Sequence, residues 1–172
     1  VFATAKSRAT WLTVNLGTAV LASLVIGLFE ATLSQAVALA VLMPIVASMG
    51  GNAGMQTLTV AVRALAMKDL SASNALRFIG KECLVGLSNG VLFAVMTGAV
   101  AWLWFGRADI GVIIGLAMIV NMLVAGLSGT LVPLGLEKLK IDPAVASAVF
   151  LTTITDVVGF FAFLGLAALF IL

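Results

Sequence analysis

The chain has 172 residues, 63% of them hydrophobic and 9% charged, with a mean hydropathy of +1.26. So few charges cannot cover the surface of a soluble domain of this length, so the composition belongs to an integral membrane protein. The net charge of +2 is too small to imply nucleic-acid binding, there is no histidine, and the single Cys83 excludes an internal disulfide and makes a poor metal site.

The apolar runs are much longer than barrel strands, so the predicted fold is all-α. The chain opens at Val1 without methionine and without a charged-then-apolar leader, and reads as a piece or mature end of something longer. Five segments are each long enough to cross a ~30 Å hydrocarbon core. In chain order they are residues 10–29, 36–66, 83–105 (from as early as 73), 110–136 and 143–172. The second is expected to be broken at Pro44 and again at the glycine-rich 50–54, and the fourth contains Pro133. Five is an odd number, which argues against two equal inverted halves in one chain.

The charges fall between these segments. Lys6 and Arg8 precede the first, Glu30 and Gln35 follow it, and Arg63, Lys68, Arg77 and Lys81 surround the second link. Arg107 and Asp109 occupy the third link, and Lys138 and Lys140 the fourth. Eight of the nine Lys and Arg residues therefore share one side. The positive-inside rule then predicts a cytoplasmic N-terminus and an external C-terminus. Trp11 and the pair Trp102 and Trp104 fall near opposite interfaces, where an aromatic belt is expected. Asp69, Glu82, Glu137 and Asp142 read as solvated charges at cytoplasmic helix ends.

Asp156 stands apart, at the middle of the fifth segment with no other charge between Pro143 and Leu172. A carboxylate at that depth is expensive and is retained where it faces protein or water. Asp142-Pro143 is a strong helix start, an N-cap followed by proline at the first position. Helical spacing puts Ala148, Thr152, Asp156 and Gly159 on one face, flanked by Thr155, opposite Phe150, Leu151, Ile154, Val158 and Phe161. The competing structural reading has Asp156 protonated or hydrogen-bonded, to Thr152 or a neighbouring helix, as glue for the bundle. No Lys or Arg lies at matching depth to pair with it.

The second segment carries PIVASMGGNAGMQT over residues 44–57. Pro44 removes a backbone donor, and the glycines let a backbone or hydrated ion approach and let carbonyls turn toward water. Ser48, Gly51, Asn52, Gln56 and Thr59 are expected to line a pore, against a competing reading of small-residue helix packing. Gly86 and Gly90, beside Ser88 and Asn89, and then Asn121, Gly126, Ser128 and Gly129, read as helix packing. No phosphate-cradling loop, His or Cys cluster or nucleophile–base pair is present, so no enzyme is expected.

The candidate ligands are oxygen only, which suits Mg²⁺, Ca²⁺ or Mn²⁺. Two copies of the chain at a twofold axis would bring two Asp156 carboxylates together and match one divalent charge. Mg²⁺ releases its waters reluctantly, so such a site would hold the hydrated ion. Two other readings stay open from the residues: a secondary transporter in which Asp156 carries H⁺ or Na⁺, and a non-transporting assembly subunit. Glu30 and Asp109 are candidates for the outer mouth.

The segment 44–57 and the segment DPAVASAVFLTTITDVVGF over 142–160 strongly resemble the membrane domain of the MgtE family of bacterial Mg²⁺ channels, and the likeness covers essentially the whole chain. It is strong enough to admit the family's thermophilic bacterial member. The resemblance implies a homodimer in the inner membrane with its pore at the subunit interface, lined by the second and fifth helices. Asp156 would be the metal-binding pore acid for Mg²⁺, with Ser48, Gly51, Asn52, Gln56, Ala148, Thr152, Thr155 and Gly159 around it; Co²⁺ and Mn²⁺ would also pass. It further implies cytoplasmic N and CBS domains that close the pore when cellular Mg²⁺ is high. Residues 1–9 would be the end of their linking helix and 10–172 the pore domain.

Overall fold

In a computed structural model the described residues are 2–71 and 73–171. Val1, the first residue of the expected linking helix, and Leu172, the expected last residue of the fifth segment, lie outside them. All regular structure among the described residues is helical: α1 (Phe2–Gly27), α2 (Glu30–Gln35), α3 (Val37–Ala66), α4 (Ala75–Phe105), α5 (Ala108–Lys138) and α6 (Pro143–Ile171). Five of these, all but α2, are long and apolar enough to cross a membrane, in accord with the composition.

The helices outrun the apolar segments. α4 begins at Ala75 and passes through Arg77 and Lys81 before its apolar stretch starts at Cys83. α1 runs through Lys6, where the hydroxyls of Thr10 and Thr13 donate to the carbonyls of Lys6 and Ala9 at 3.0 and 2.8 Å. Charge stops a hydropathy window, but Lys, Arg and Glu are good helix formers. The short α2 was hidden in a polar link because one and a half turns carry too little periodicity to read. Its Thr32 is buried, and the helix docks on α3 and α6.

α3 corrects the expectation of a broken second segment. It is one continuous helix through Pro44 and Gly50-Gly51. Where no water competes for backbone groups, internal hydrogen bonding is the only way to satisfy them, and a continuous helix satisfies most.

α5 is the centre of the bundle. It packs on α3, α4 and α6 and carries much of the fully buried surface, including Ile110, Ile113, Ile114, Met118, Asn121 and Met122. Its contact with α4 is very close. A Cβ added at Gly86 would lie 2.7 Å from the Met122 carbonyl oxygen, and one at Gly126 would lie 2.7 Å from the Glu82 carbonyl oxygen. Further along, Gly98 and Gly111 face each other, each Cβ position within 2.9 Å of the other's carbonyl oxygen. The packing role expected of Gly86, Gly90, Gly126 and Gly129 is thus observed. α1 packs on α6, with Ala22, Val25 and Ile26 in the core, and just beyond its end the Phe29 ring meets that of Phe161 edge to face at 5.7 Å.

The ends of α3 and α5 each carry the same kind of cap. The Lys68 and Asp69 N–H groups donate to the carbonyls of Leu65 and Ala64, and those of Lys140 and Ile141 to Glu137 and Leu136. These are paired Schellman bonds, with the left-handed position held by Lys68 (φ 60°) and Lys140 (φ 57°) in place of glycine.

Gly86→Ala should lower stability by about 1–3 kcal/mol, the usual range for overpacking a tight contact. Gly17→Ala, where nothing lies within 4 Å, should be neutral or mildly stabilising. Thermal unfolding of the two variants in detergent checks the contrast.

Candidate functional site

α6 starts as its sequence predicts. Asp142 caps it, accepting the Ala144 N–H at 3.0 Å, and Pro143 takes the first helical position. Asp156 follows about 20 Å along the helix, with roughly 22 Å remaining to Ile171, at ~1.5 Å per residue. Its carboxylate is partly exposed and, among the described residues, has no hydrogen-bond donor or cationic partner. Thr152 does not serve it, because that hydroxyl donates to the carbonyls of Ala148 and Val149 at 3.0 and 3.2 Å. The hydrogen-bonded form of the structural reading is therefore not seen among the described residues.

The surface around Asp156 follows from how α6 is held. Ala148 and Thr152 border a groove of about 560 Å³ against α1, beside Trp11 and Asn15. Ala148 also borders a groove of about 350 Å³ against α3, across from Met55, Thr59 and Arg63. The 148/152/156 face of α6 thus opens between α1 and α3. On α3 the exposed residues Ser48, Asn52, Gln56 and Thr59 form a polar stripe. Asn52 Nδ2 donates to Ser48 Oγ at 3.3 Å, and Thr59 donates to the Met55 carbonyl at 2.8 Å. α3 and α6 run antiparallel: Gly54 meets Leu151, and Gly50 and Gly159 both meet Asn121. Helical spacing therefore carries the α3 stripe along the same side as Ala148, Thr152 and Asp156.

Two expected members do not share this surface. Thr155 is fully buried and donates to the Leu151 and Thr152 carbonyls at 3.2 and 3.1 Å. Gly159 is buried against α5, with its Cβ position 2.8 Å from Asn121 Nδ2. Thr155 lies one residue and Gly159 three residues from Asp156 along the helix, and both offsets turn them toward the core. The glycines of α3 divide in the same way. Gly50 and Gly54 are buried contacts, and only Gly51 has open space where a side chain would be.

Asn121 is more than filler. It is fully buried, its Nδ2 donates to the Val46 carbonyl at 2.8 Å, and its amide is wedged between Gly50 of α3 and Gly159 of α6. Its Oδ1 is buried without a hydrogen-bond partner. A single amide in the middle of an apolar helix was the available signal; its partners lay on other helices and were not legible.

Glu82 is a correction. Expected as a solvated charge at a helix end, it is only 7% exposed and accepts a hydrogen bond from Thr57 Oγ1 at 3.1 Å. The close approach of α4 and α5 at Gly86 and Gly126 draws it inward. Of the outer-mouth candidates, Asp109 is ion-paired with Arg107, whose Nε donates to Oδ1 at 3.2 Å, and Glu30 is exposed at the start of α2. Among the described residues no group of three or more His, Cys, Asp or Glu side chains converges on one point. A cation on this surface would be held by one carboxylate with hydroxyl, amide and water oxygens.

The fold defines a polytopic α-helical membrane protein with a carboxylate midway along its last spanning helix. A family profile described as a divalent cation transporter, MgtE, matches residues 43–166, and the chain belongs to that family. It is 33% identical over 170 residues to the magnesium transporter MgtE of Bacillus subtilis, covering 99% of this chain and 38% of the relative. It is 38% identical over 166 residues to the magnesium transporter MgtE of Enterococcus faecalis, covering 96% and 37%. The Thermus thermophilus protein of the same name is 32% identical over 164 residues, covering 95% and 36%, so that thermophilic protein is a relative and not this chain. The chain spans a little over a third of the length of these relatives.

Gly159→Ala should be strongly destabilising, and Asn121→Ala should offset part of that loss by removing the atoms the new methyl meets. The double variant should be less harmful than the two singles summed, by about 0.5–3 kcal/mol of coupling, in a double-mutant cycle on unfolding free energy.

Proposed function

We propose that the chain is the ion-conducting part of a Mg²⁺ channel, and that two copies present their α3 and α6 faces to each other so that paired Asp156 carboxylates hold one hydrated Mg²⁺. The observation that carries this is the partly exposed mid-span carboxylate of Asp156, left without hydrogen bond or ion pair among the described residues, on a helix that packs beside the polar stripe of α3. An anion with no partner is costly at membrane depth, and a cation with its water shell would remove that cost. Ser48, Gly51, Asn52, Gln56, Ala148 and Thr152 are the residues proposed to face the ion's path, with Thr155 and Gly159 supporting from behind. Mn²⁺ and Co²⁺ are further proposed cargo. The proposed orientation is N-terminus inside, which puts the Arg63, Lys68, Arg77, Lys81, Lys138 and Lys140 ends in the cytoplasm of the bacterial cell and makes the membrane the inner one.

Asp156→Asn in proteoliposomes should abolish Mg²⁺ influx while leaving the protein folded, and Asn52→Leu should reduce it at least several-fold. Wild-type influx in Asp156→Asn would reject the carboxylate site. A requirement for a pH or Na⁺ gradient would point to coupled transport, and no Mg²⁺ flux in the wild type to an assembly role.

Cross-linking of a cysteine placed at position 156, with Cys83 changed to serine, should trap a disulfide dimer under oxidation. Only monomer on a non-reducing gel would show that the two copies do not meet there.

A further inference from the structure

We propose a second cation site, formed by Glu82 in a polar cavity between α3, α4 and α5. Apart from Gln56, which borders both, it lies outside the face that carries Asp156, and it does not depend on the function proposed for that face. The cavity holds about 330 Å³ and is bordered by Gln56 and Thr57 of α3 and by Lys81, Glu82 and Asn89 of α4, with α5 behind. Glu82 lies about 10 Å into α4, at ~1.5 Å per residue from Ala75, among residues of a membrane-spanning helix.

Among the described residues the carboxylate has no cationic partner. Thr57 gives Oε2 one neutral hydrogen bond, and the one salt bridge among the described residues is that of Arg107 with Asp109. Neither Glu82 oxygen is sealed in without a partner, so the one that Thr57 leaves free reaches the cavity. An ionised carboxylate 93% removed from solvent with a single hydroxyl donor is far from compensated. A cation in the cavity supplies what is missing. The other polar groups at hand are the carboxamide oxygens of Gln56 and Asn89, hard donors of the kind that suit a divalent ion holding its waters. Six waters at ~30 Å³ each occupy roughly 180 Å³, so a hydrated ion fits. With one carboxylate, binding is outer-sphere and weak, and the Lys81 ammonium at the rim limits the net charge the cavity attracts.

Cys83, the sole cysteine and the neighbour of Glu82, provides a local probe. The chain in lipid nanodiscs carries a nitroxide on Cys83, and every sample carries Asp156→Asn. Mn²⁺ is titrated, and relaxation enhancement of the label is read by electron paramagnetic resonance. The expected result is a saturable enhancement whose midpoint rises at least tenfold in Glu82→Gln, which keeps an oxygen for the Thr57 hydroxyl. An unchanged midpoint in Glu82→Gln, or no saturable enhancement in the parent, overturns the proposal, and Glu82 is then a packing group. If Glu82→Gln does not fold, Glu82→Asp serves; it retracts the charge by one methylene and should move the midpoint at least threefold, and an unmoved midpoint overturns the proposal equally. Because Asp156 is absent from every sample, this outcome is separate from the flux test of the other site.

Discussion

Hydrocarbon offers a helix neither hydrogen-bond partners nor a hydrophobic reason to join another helix. Close backbone contact around α5 meets that constraint in this chain. Gly86, Gly90, Gly98, Gly111 and Gly126 bring α4 and α5 within reach of each other's carbonyls. At that distance dispersion contacts accumulate, and side chains larger than hydrogen are excluded. The same helix then receives α3 and α6 on its other sides. Everything else is arranged relative to this buried axis.

The site inherits its geometry from that arrangement. Asn121 projects from α5 into the seam between α3 and α6, where Gly50 and Gly159 make room for its amide. One hydrogen bond to the Val46 carbonyl fixes it to α3. The pin lies less than a turn of α6 from Asp156, so the register of the two helices that frame the carboxylate is set by a side chain on a third. Small residues in α3 thereby divide into two jobs. Gly50 and Gly54 accept neighbours, whereas Gly51 and the Ser48–Asn52 pair lie on the open side.

Two carboxylates inside the spans have opposite surroundings. Asp156 is partly exposed, on the helix face whose Ala148 and Thr152 border grooves against α1 and α3. Glu82 is drawn into the bundle by the tight α4–α5 crossing and shares its cavity with carboxamides and a threonine. Neither difference can be inferred from spacing along one helix, because both depend on what the neighbouring helices leave uncovered.

The sequence by itself determined the class, the five spanning helices, the Asp142-Pro143 start of α6, the mid-span position of Asp156 and, through the two long motifs, the family. Each of these is a local or additive property: hydropathy summed over twenty residues, a cap within one turn, distance along one axis. The tertiary structure alone decided which glycines are contacts, that α3 runs unbroken, that Thr155 and Gly159 turn inward, that Asn121 pins two helices, and that Glu82 is buried. Those outcomes depend on rotation and distance between helices, and α5, as the shared neighbour, sets both through contacts between residues far apart in the chain. A one-dimensional pattern has no term for such contacts, so it marks a face of a helix as polar without saying what that face will meet.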